Sequence, residues 1–260
     1  MPYFLHKKKN IHYKNEGSGE AVVLLHGFLE NLSMWDEIAD ELSKTHQVIR
    51  IDLPGFGKSE SIEKVHAMEL FAACVHQVLL ELKIDKFSLV GHSMGAYVSL
   101  ALLEMYSDKI EHICLFHSTA NADSEEKKSG RDRAIKTLKD KQNVYLKTAI
   151  PFLFPEQFQK SCAALIQKMI AEAKDLNPNG IRAALKGMQQ RKDTNRCLKD
   201  FSGKKTYIAG TLDPLLNVDT LRQEALNNDA NFLEIQKAGH MSHWENPKMA
   251  IELIQKSLCR

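Results

Sequence analysis

The most informative stretch is Phe87–Tyr106, FSLVGHSMGAYVSLALLEMY, with the pentapeptide GHSMG at positions 91–95. The apolar FSLV before the pentapeptide is typical of a strand that is covered on both faces. The residues after it follow a helical pattern. A G-x-S-x-G sequence between a strand and a helix presents its serine on a sharp, strained turn, whereas a Gly/Ser turn without chemistry is the alternative. The context predicts that Ser93 is an exposed nucleophile.

An acyl-transfer nucleophile needs two hydrogen-bond donors for the oxyanion that forms. The Met94 backbone N–H lies at the start of the predicted helix, where the helix dipole also favours negative charge. The second donor is expected from a loop after an early strand, and HGF at 26–28 follows the apolar AVVLL. We therefore predict the backbone N–H groups of Phe28 and Met94 as donors, and a structural role for His26.

A serine hydroxyl also needs a positioned base, and the chain has eleven histidines. His240 lies in AGHMSHWE (238–245), directly after the strand-like NFLEIQ. A last sheet strand would deliver it to the same edge as Ser93. His243 forms an H-x-x-H pair with His240, but no third ligand lies at a usable spacing. We predict His240 as the base, a structural or supporting His243, and no metal.

The base in turn needs a carboxylate that fixes its tautomer. Asp213, in AGTLDP (209–214), follows the predicted strand TYIA. The order Ser93, Asp213, His240 is the Ser…Asp…His order of one known triad arrangement. Asp123 and Asp219 are alternatives, of which Asp219 is predicted to cap a helix.

Short apolar strands alternate with longer helical segments along most of the chain. The predicted strands are Ala21–Leu25, Val48–Asp52, Phe87–Val90, Ile113–Phe116 and Thr206–Ala209, and a leading pair is Tyr3–Lys8 and Ile11–Lys14. The predicted helices are Ser33–Ser43, Met68–Leu82, Met94–Tyr106 and Val218–Leu226. This alternation predicts an α/β fold with a parallel sheet, and the leading pair predicts an antiparallel edge.

One segment interrupts this alternation. Residues 122–200 contain helical patterns but no convincing strand, and prolines and the NPNG at 177–180 divide them. We predict a core domain formed by residues 1–121 and 201–260, with residues 122–200 inserted as a helical lid.

Composition limits the classes of function. The 260 residues carry 35 Lys and Arg against 33 Asp and Glu, a balance that gives no basic surface for nucleic acid. The five cysteines form no C-x-x-C pair, and the apolar runs are shorter than the roughly 20 residues of a membrane span. The Lys run near the N-terminus follows its apolar residues, which is the reverse of a signal peptide. We therefore expect a cytoplasmic protein with no membrane span and no indicated protein partner.

Five motifs together resemble the α/β-hydrolase superfamily, in its lidded, cofactor-free branch. They are HGFLENLSMW (26–35), IDLPGFGKSE (51–60), LVGHSMGA (89–96), AGTLDP (209–214) and AGHMSHWENP (238–247). The resemblance implies a mostly parallel eight-stranded sheet flanked by helices, with the lid after the sixth strand. It implies Ser93, Asp213 and His240 as the triad, Phe28 and Met94 as the oxyanion hole, and no cofactor. Asp52 is expected to brace a loop.

These features predict a carboxylesterase-like serine hydrolase that cleaves an ester, thioester or related small-molecule acyl substrate through an acyl-enzyme. Two alternatives use the same residues: a ligand sensor of this fold, and a C–C lyase similar to that of the menaquinone pathway. The lyases carry an arginine four residues after the nucleophile, where this chain has Tyr97. Arg131, Arg133 and Arg182 in the lid are possible replacements for that arginine.

The substrate pocket is the least constrained part of the prediction. The residues expected to line it are Trp35, Tyr97, His117, Phe152 and Phe154. A structural role is the alternative for His117, and packing of the lid onto the core is the alternative for AIPFLF (149–154). The charged helix at 127–141 is expected to be a solvated face.

Overall fold

The computed structural model describes residues 3–259, and its centre is one eight-stranded sheet. The strands are β1 (Tyr3–His6), β2 (Lys9–Gly17), β3 (Glu20–Leu25), β4 (His46–Ile51), β5 (Phe87–His92), β6 (Ile110–Phe116), β7 (Lys204–Gly210) and β8 (Asn231–Ile235). Their order across the sheet is β1-β2-β4-β3-β5-β6-β7-β8.

The sheet is mostly parallel. Strand β2 pairs antiparallel with both β1 and β4, and every other neighbouring pair is parallel. The predicted mostly parallel sheet with its antiparallel edge is therefore confirmed. Because parallel strands end at the same edge, the loops after β3, β5, β7 and β8 meet there, which is where α/β sheets bind ligands.

Twelve α-helices are present in the described residues. They are α1 (Asp36–Leu42), α2 (Met68–Glu81), α3 (Met94–Tyr106), α4 (Glu125–Asp140), α5 (Gln142–Ala149), α6 (Glu156–Gln159), α7 (Ala163–Lys174), α8 (Pro178–Gln190), α9 (Asn195–Asp200), α10 (Val218–Asn227), α11 (Ser242–Glu245) and α12 (Pro247–Leu258). No helix among residues 3–259 has the length and apolar character needed to cross a bilayer.

Hydrophobic cores lie on both faces of the sheet. Successive strand side chains point to opposite faces, so Val23 and Leu25 of β3 join the core beneath α2 and α3. Val22 and Leu24 join the second core, which α1 and α12 cover. Burial on both faces explains why these strands are apolar throughout instead of alternating.

The segment between β6 and β7 contains helices α4–α9 and no strand. It packs closely against the loop before α2: a Cβ on Gly187 of α8 would lie 1.7 Å from the His66 carbonyl oxygen. Only glycine fits this approach of two backbones. These helices follow the sixth strand, β6, and precede β7.

Several predicted helix boundaries need correction. The predicted helix Ser33–Ser43 is a 3₁₀ turn, Leu32–Trp35, followed by α1. Asn177 caps α8 with its side chain and Pro178 is the first helical residue, so NPNG begins a helix. The prediction that Asp219 caps α10 is wrong, because Asn217 accepts the capping hydrogen bond from the Thr220 N–H.

Candidate active site

Ser93 lies on a strained turn between β5 and α3. Its φ of 50° and ψ of −111° fall in a region that non-glycine residues rarely adopt, at a cost of about 1–3 kcal/mol. The surrounding structure holds this conformation: the Ser93 N–H donates to the Phe116 carbonyl at 2.9 Å, and the Ser118 hydroxyl donates to the Ser93 carbonyl at 2.9 Å. A Cβ on Gly95 would lie 2.1 Å from the Leu25 carbonyl oxygen, which explains the second glycine of the motif.

His240 and Asp213 are hydrogen-bonded at the same edge of the sheet. The distance from His240 Nδ1 to Asp213 Oδ2 is 2.8 Å. The other carboxylate oxygen accepts the backbone N–H groups of Leu215 and Leu216 at 2.8 and 3.1 Å. A carboxylate on Nδ1–H leaves the Nε2 lone pair free to accept a proton, and His240 lines one cavity with Ser93.

Asp213 is ionised at ordinary pH. Burial alone would raise the pKa of its carboxyl group, but the charge and hydrogen bonds of His240 and His117 hold that pKa far below its usual range. Its environment therefore keeps a permanent negative charge beside His240.

His117 is a second histidine on Asp213. Its Nδ1 lies 3.0 Å from the same Oδ2, and its Nε2 lies 2.6 Å from the Ser242 hydroxyl oxygen. Burial lowers the pKa of His117 to about 4, although Asp213 opposes the shift. The prediction that His117 lines the pocket is wrong: the ring is fully buried behind Asp213 and takes no part in the cavity wall.

The loop after β3 is fixed by His26. The Leu53 N–H donates to His26 Nε2 at 2.9 Å, so the ring carries its proton on Nδ1, which donates to the Gly27 carbonyl at 2.7 Å. Phe28 follows directly and lines the cavity. Met94 is the first residue of α3, so its N–H has no acceptor four residues earlier in the helix.

Asp52 braces the neighbouring loops. It is buried, lies 2.7 Å from His12 Nδ1, and accepts the Leu32 N–H at 2.7 Å and the Lys58 N–H at 2.9 Å. These contacts hold the His12 ring and the backbone of two loops in place, and Asp52 does not line the cavity.

Sequence reasoning missed a buried pair beside the nucleophile. Glu30 Oε2 accepts the Gly27 N–H at 2.6 Å and lies 2.8 Å from His92 Nδ1. His92 Nε2 lies 2.9 Å from the backbone carbonyl oxygen of His240. The available signals were an acidic residue three positions after Gly27, in an apolar loop, and a histidine directly before Ser93.

The site opens onto a cavity of about 440 Å³. The sheet edge contributes Phe28, Leu29, Glu30, His92, Ser93, Tyr97, Leu215, Leu216 and His240. The inserted helices contribute Lys127, Gly130, Arg131, Ala134, Tyr145, Ala149, Phe152, Leu153, Leu185 and Met188. The nucleophile and the base therefore open onto a space whose far wall is mostly apolar.

The structure places two other predicted pocket residues elsewhere. Trp35 is fully buried on the opposite side of the sheet, with its ring centroid 5.9 Å from that of Phe116. Phe154 is 1% exposed and belongs to the core between the inserted helices and the body. The prediction that they line the pocket is wrong, whereas Tyr97 and Phe152 do line it.

Asp123, the alternative acid, is paired within another network. It is buried and forms ion pairs with Arg131 and with Arg191, the latter at 3.1 Å. The Arg191 guanidinium carbon lies 3.8 Å from the centroid of the Tyr97 ring. Asp123 therefore neutralises two arginines at the cavity wall: Arg131 lines the cavity, and Arg191 packs on the lining residue Tyr97.

The positive side chains of the insertion divide into two groups. Arg133 and Arg182 are bonded to neighbours on their own helices, Ser129 and Asn179. Arg131 and Lys127 line the cavity instead. The expectation that the charged helix is only a solvated face is wrong at these two positions.

Three potential metal-ligating side chains come together: one atom each of His117, Asp213 and His240 lies within 4.8 Å of the others. Both Nδ1 atoms face one Asp213 oxygen at hydrogen-bond distances, and the other oxygen is occupied by two backbone N–H groups. The three side chains therefore fit a carboxylate that is shared by two histidines. A metal ion would have to displace the hydrogen bonds that Asp213 already makes.

Comparisons with known proteins agree with this architecture. The profile of the family described as alpha/beta hydrolase fold matches residues 20–247, and the chain belongs to that family. A 2-hydroxy-6-oxononadienedioate/2-hydroxy-6-oxononatrienedioate hydrolase of Paraburkholderia phymatum is 26% identical over 254 residues, or 91% of this chain and 86% of that protein.

Two solved structures are similar over nearly the whole chain. A thermophilic esterase from Thermogutta terrifontis, bound to malate, has a TM-score of 0.91 at 28% identity and covers 96% of this chain and 93% of its own. An enol-lactonase from Burkholderia xenovorans has a TM-score of 0.90 at 22% identity, with 99% of each chain covered. The protein is thus an enzymatic α/β hydrolase.

Proposed function

We propose that the protein is a serine hydrolase that cleaves an ester, thioester or related small-molecule acyl substrate through an acyl-enzyme. One observation carries the proposal: a strained Ser93 opens onto the same cavity as His240, whose Nδ1 is held by the buried Asp213. This arrangement supplies a nucleophile, a base with a free Nε2, and a fixed counter-charge.

The reaction proceeds in two halves. His240 Nε2 takes the Ser93 proton as the hydroxyl oxygen attacks the carbonyl carbon, and the N–H groups of Phe28 and Met94 stabilise the oxyanion. His240 then gives this proton to the leaving alcohol or thiol, and Ser93 is left acylated. In the second half His240 takes a proton from water, the hydroxide oxygen attacks the acyl carbon, and the proton returns to Ser93 as the acid leaves.

Residues 122–200 act in this proposal as a lid over the body formed by 1–121 and 201–260. Their side chains close the cavity opposite Ser93, and most of them are apolar. They would receive the acyl chain while the sheet edge performs the chemistry. The five unpaired cysteines fit a reducing compartment such as the cytoplasm.

Replacement of the nucleophile tests the proposal. In Ser93→Ala, kcat for a short p-nitrophenyl ester is expected to fall by roughly 10⁴- to 10⁶-fold. Ser257→Ala is the control and should retain wild-type turnover, because Ser257 lies in α12, does not line the cavity, and donates its hydroxyl hydrogen to the Ile254 carbonyl. Unchanged turnover in Ser93→Ala contradicts the proposal.

A second candidate is hydrolysis of a C–C bond in a substrate that carries a carboxylate. The name of the Paraburkholderia relative and the placement of Arg131 and Lys127 in the cavity wall favour it. An assay with a 2-hydroxy-6-oxo dienedioate separates the candidates: release of two smaller carboxylates, with no turnover across an ester panel, would replace the first proposal by the second.

A further inference from the structure

Glu30 and His92 form a buried pair that the reaction scheme does not use. Both side chains are 1% exposed. The pair touches three separate loops: Glu30 holds the Gly27 N–H after β3, His92 lies at the end of β5 directly before Ser93, and His92 Nε2 meets the carbonyl of His240 after β8. These loops carry an oxyanion donor, the nucleophile and the base.

Hydrogen bonds and electrostatics together indicate the protonation state of this pair. A backbone carbonyl only accepts, so the 2.9 Å contact with the His240 oxygen places a proton on His92 Nε2. Glu30 Oε2 accepts the Gly27 N–H and lies 2.8 Å from His92 Nδ1, and because the pKa of Glu30 is lowered and that of His92 is raised, the proton between them lies on Nδ1. His92 is therefore a cation that donates from both nitrogens.

The electrostatic surroundings agree with this state. Burial alone would lower the pKa of His92, but the charge and hydrogen bond of Glu30 outweigh it and raise that pKa. Burial would correspondingly raise the pKa of Glu30, and His92 holds it below its ordinary value. The adjoining His243 stays neutral, because burial and the other histidines lower its pKa strongly.

We infer that the Glu30–His92 ion pair is a positioning unit that fixes the oxyanion loop and the His240 loop relative to Ser93. The bond from His92 sets the backbone position of His240 and hence its ring, while Glu30 sets Gly27 and hence the Phe28 N–H. Neither side chain has a role in proton transfer. The inference rests on the proposed function, because it assigns Ser93, His240 and Phe28 the parts described above.

Two variants cut the unit at different points. In His92→Asn the amide keeps a donor where Nδ1 faces Glu30 but cannot reach the His240 carbonyl. In Glu30→Gln the shape remains while the negative charge is removed. Because a misplacement of about 1 Å costs roughly 10²-fold in rate, kcat for a short ester should fall about 10²-fold in each variant, with KM nearly unchanged.

Matched controls separate positioning from general stability. Glu224 is another buried carboxylate, which accepts the Ala120 N–H at 2.6 Å and the Tyr207 hydroxyl at 2.8 Å. His112 is another buried histidine, 3.1 Å from the Thr206 hydroxyl. Glu224→Gln and His112→Asn should lower Tm about as much as the two test variants while kcat stays at the wild-type value. Equal losses of kcat in tests and controls would overturn the inference, as would wild-type kcat in His92→Asn.

A spectroscopic measurement tests the pair without turnover. In ¹⁵N-histidine-labelled wild-type protein at pH 8, His92 should show protons on both ring nitrogens, and Glu30→Gln should leave it with one. A singly protonated His92 in the wild type would overturn the inference. If instead His92 is doubly protonated and the wild-type protein turns over no ester, the proposed function fails while the ion pair itself stands.

Discussion

The two walls of the cavity differ in the kind of side chain that forms them. On the sheet edge, the side chains of Asp213 and Glu30 are buried and charged, and backbone N–H groups and histidines hold them at defined distances. On the helical side, the lining is mostly apolar, and Phe152 is 59% exposed at its margin. All eleven histidines of the chain lie outside residues 122–200.

This difference separates reaction type from substrate choice. Buried hydrogen-bonded groups hold reacting atoms in one geometry, so in the proposed function the sheet edge determines the chemistry. Apolar side chains discriminate by size and shape, and each methylene in such a pocket is worth about 1–3 kcal/mol. In the proposed function, the inserted helices therefore select the substrate.

The largest expected contrast between the two walls compares an acidic residue from each, Asp213 and Asp123. Asp213→Asn removes the charge beside His240 and favours the wrong tautomer, so kcat should fall about 10⁴-fold, by analogy with the serine-protease triad. Asp123→Asn alters only the ion pairs with Arg131 and Arg191 and should act mainly on KM. Steady-state kinetics with one short ester measure both, and a greater loss of kcat in Asp123→Asn would reverse the assignment of the two walls.

A smaller effect is expected from the helical wall. Phe152→Ala widens the cavity margin, so kcat/KM should change by about tenfold between short and long acyl esters, while kcat for an acetyl ester stays close to the wild-type value. Val144→Ala is the control, because Val144 is also exposed in this segment but lies outside the cavity. An acyl-chain series that is identical in Phe152→Ala and the wild type would contradict a selecting role.

The body should also respond to acid. Burial lowers the pKa of His66, His112 and His117 to about 4, 3 and 4. Between these values and the unfolded value of about 6.5, only the unfolded chain binds the protons, so stability falls as pH drops below about 6.5, by up to about 1.4 kcal/mol per pH unit for each histidine.

Urea unfolding at pH 7.5, 6 and 5 measures this effect. The free energy of unfolding should decrease towards pH 5, and the decrease should be smaller in His112→Gln, where one of these groups is missing. Equal stability at pH 7.5 and 5 would mean that the buried histidines do not remain neutral in the folded protein.

The sequence predicted the sheet edge better than the helical wall for a physical reason. Ser93 is marked by a local motif, because its turn needs glycine on either side. Asp213 and His240 follow strands, and parallel topology brings strand ends together. The positions of the Trp35 and Phe154 side chains depend instead on tertiary packing, which no local pattern reveals. Large apolar side chains such as these fit a hydrophobic core as well as a pocket.

The Glu30–His92 pair shows what local patterns do not reveal. The two residues are 62 positions apart in the sequence, and neither lies in a pattern that requires the other. Similarly, His117 contacts Asp213, which is 96 positions away in the sequence, and does not line the pocket. Such contacts become visible only when the ends of several strands are placed together.

Covalent labelling tests the central claim most directly, namely that the sheet edge performs nucleophilic catalysis through Ser93. A fluorophosphonate should add one phosphonyl group per chain, located on Ser93 by peptide mass spectrometry, and Ser93→Ala should remain unlabelled. Attachment to another residue, or a wild-type protein that stays unmodified under conditions in which it hydrolyses esters, would contradict the account.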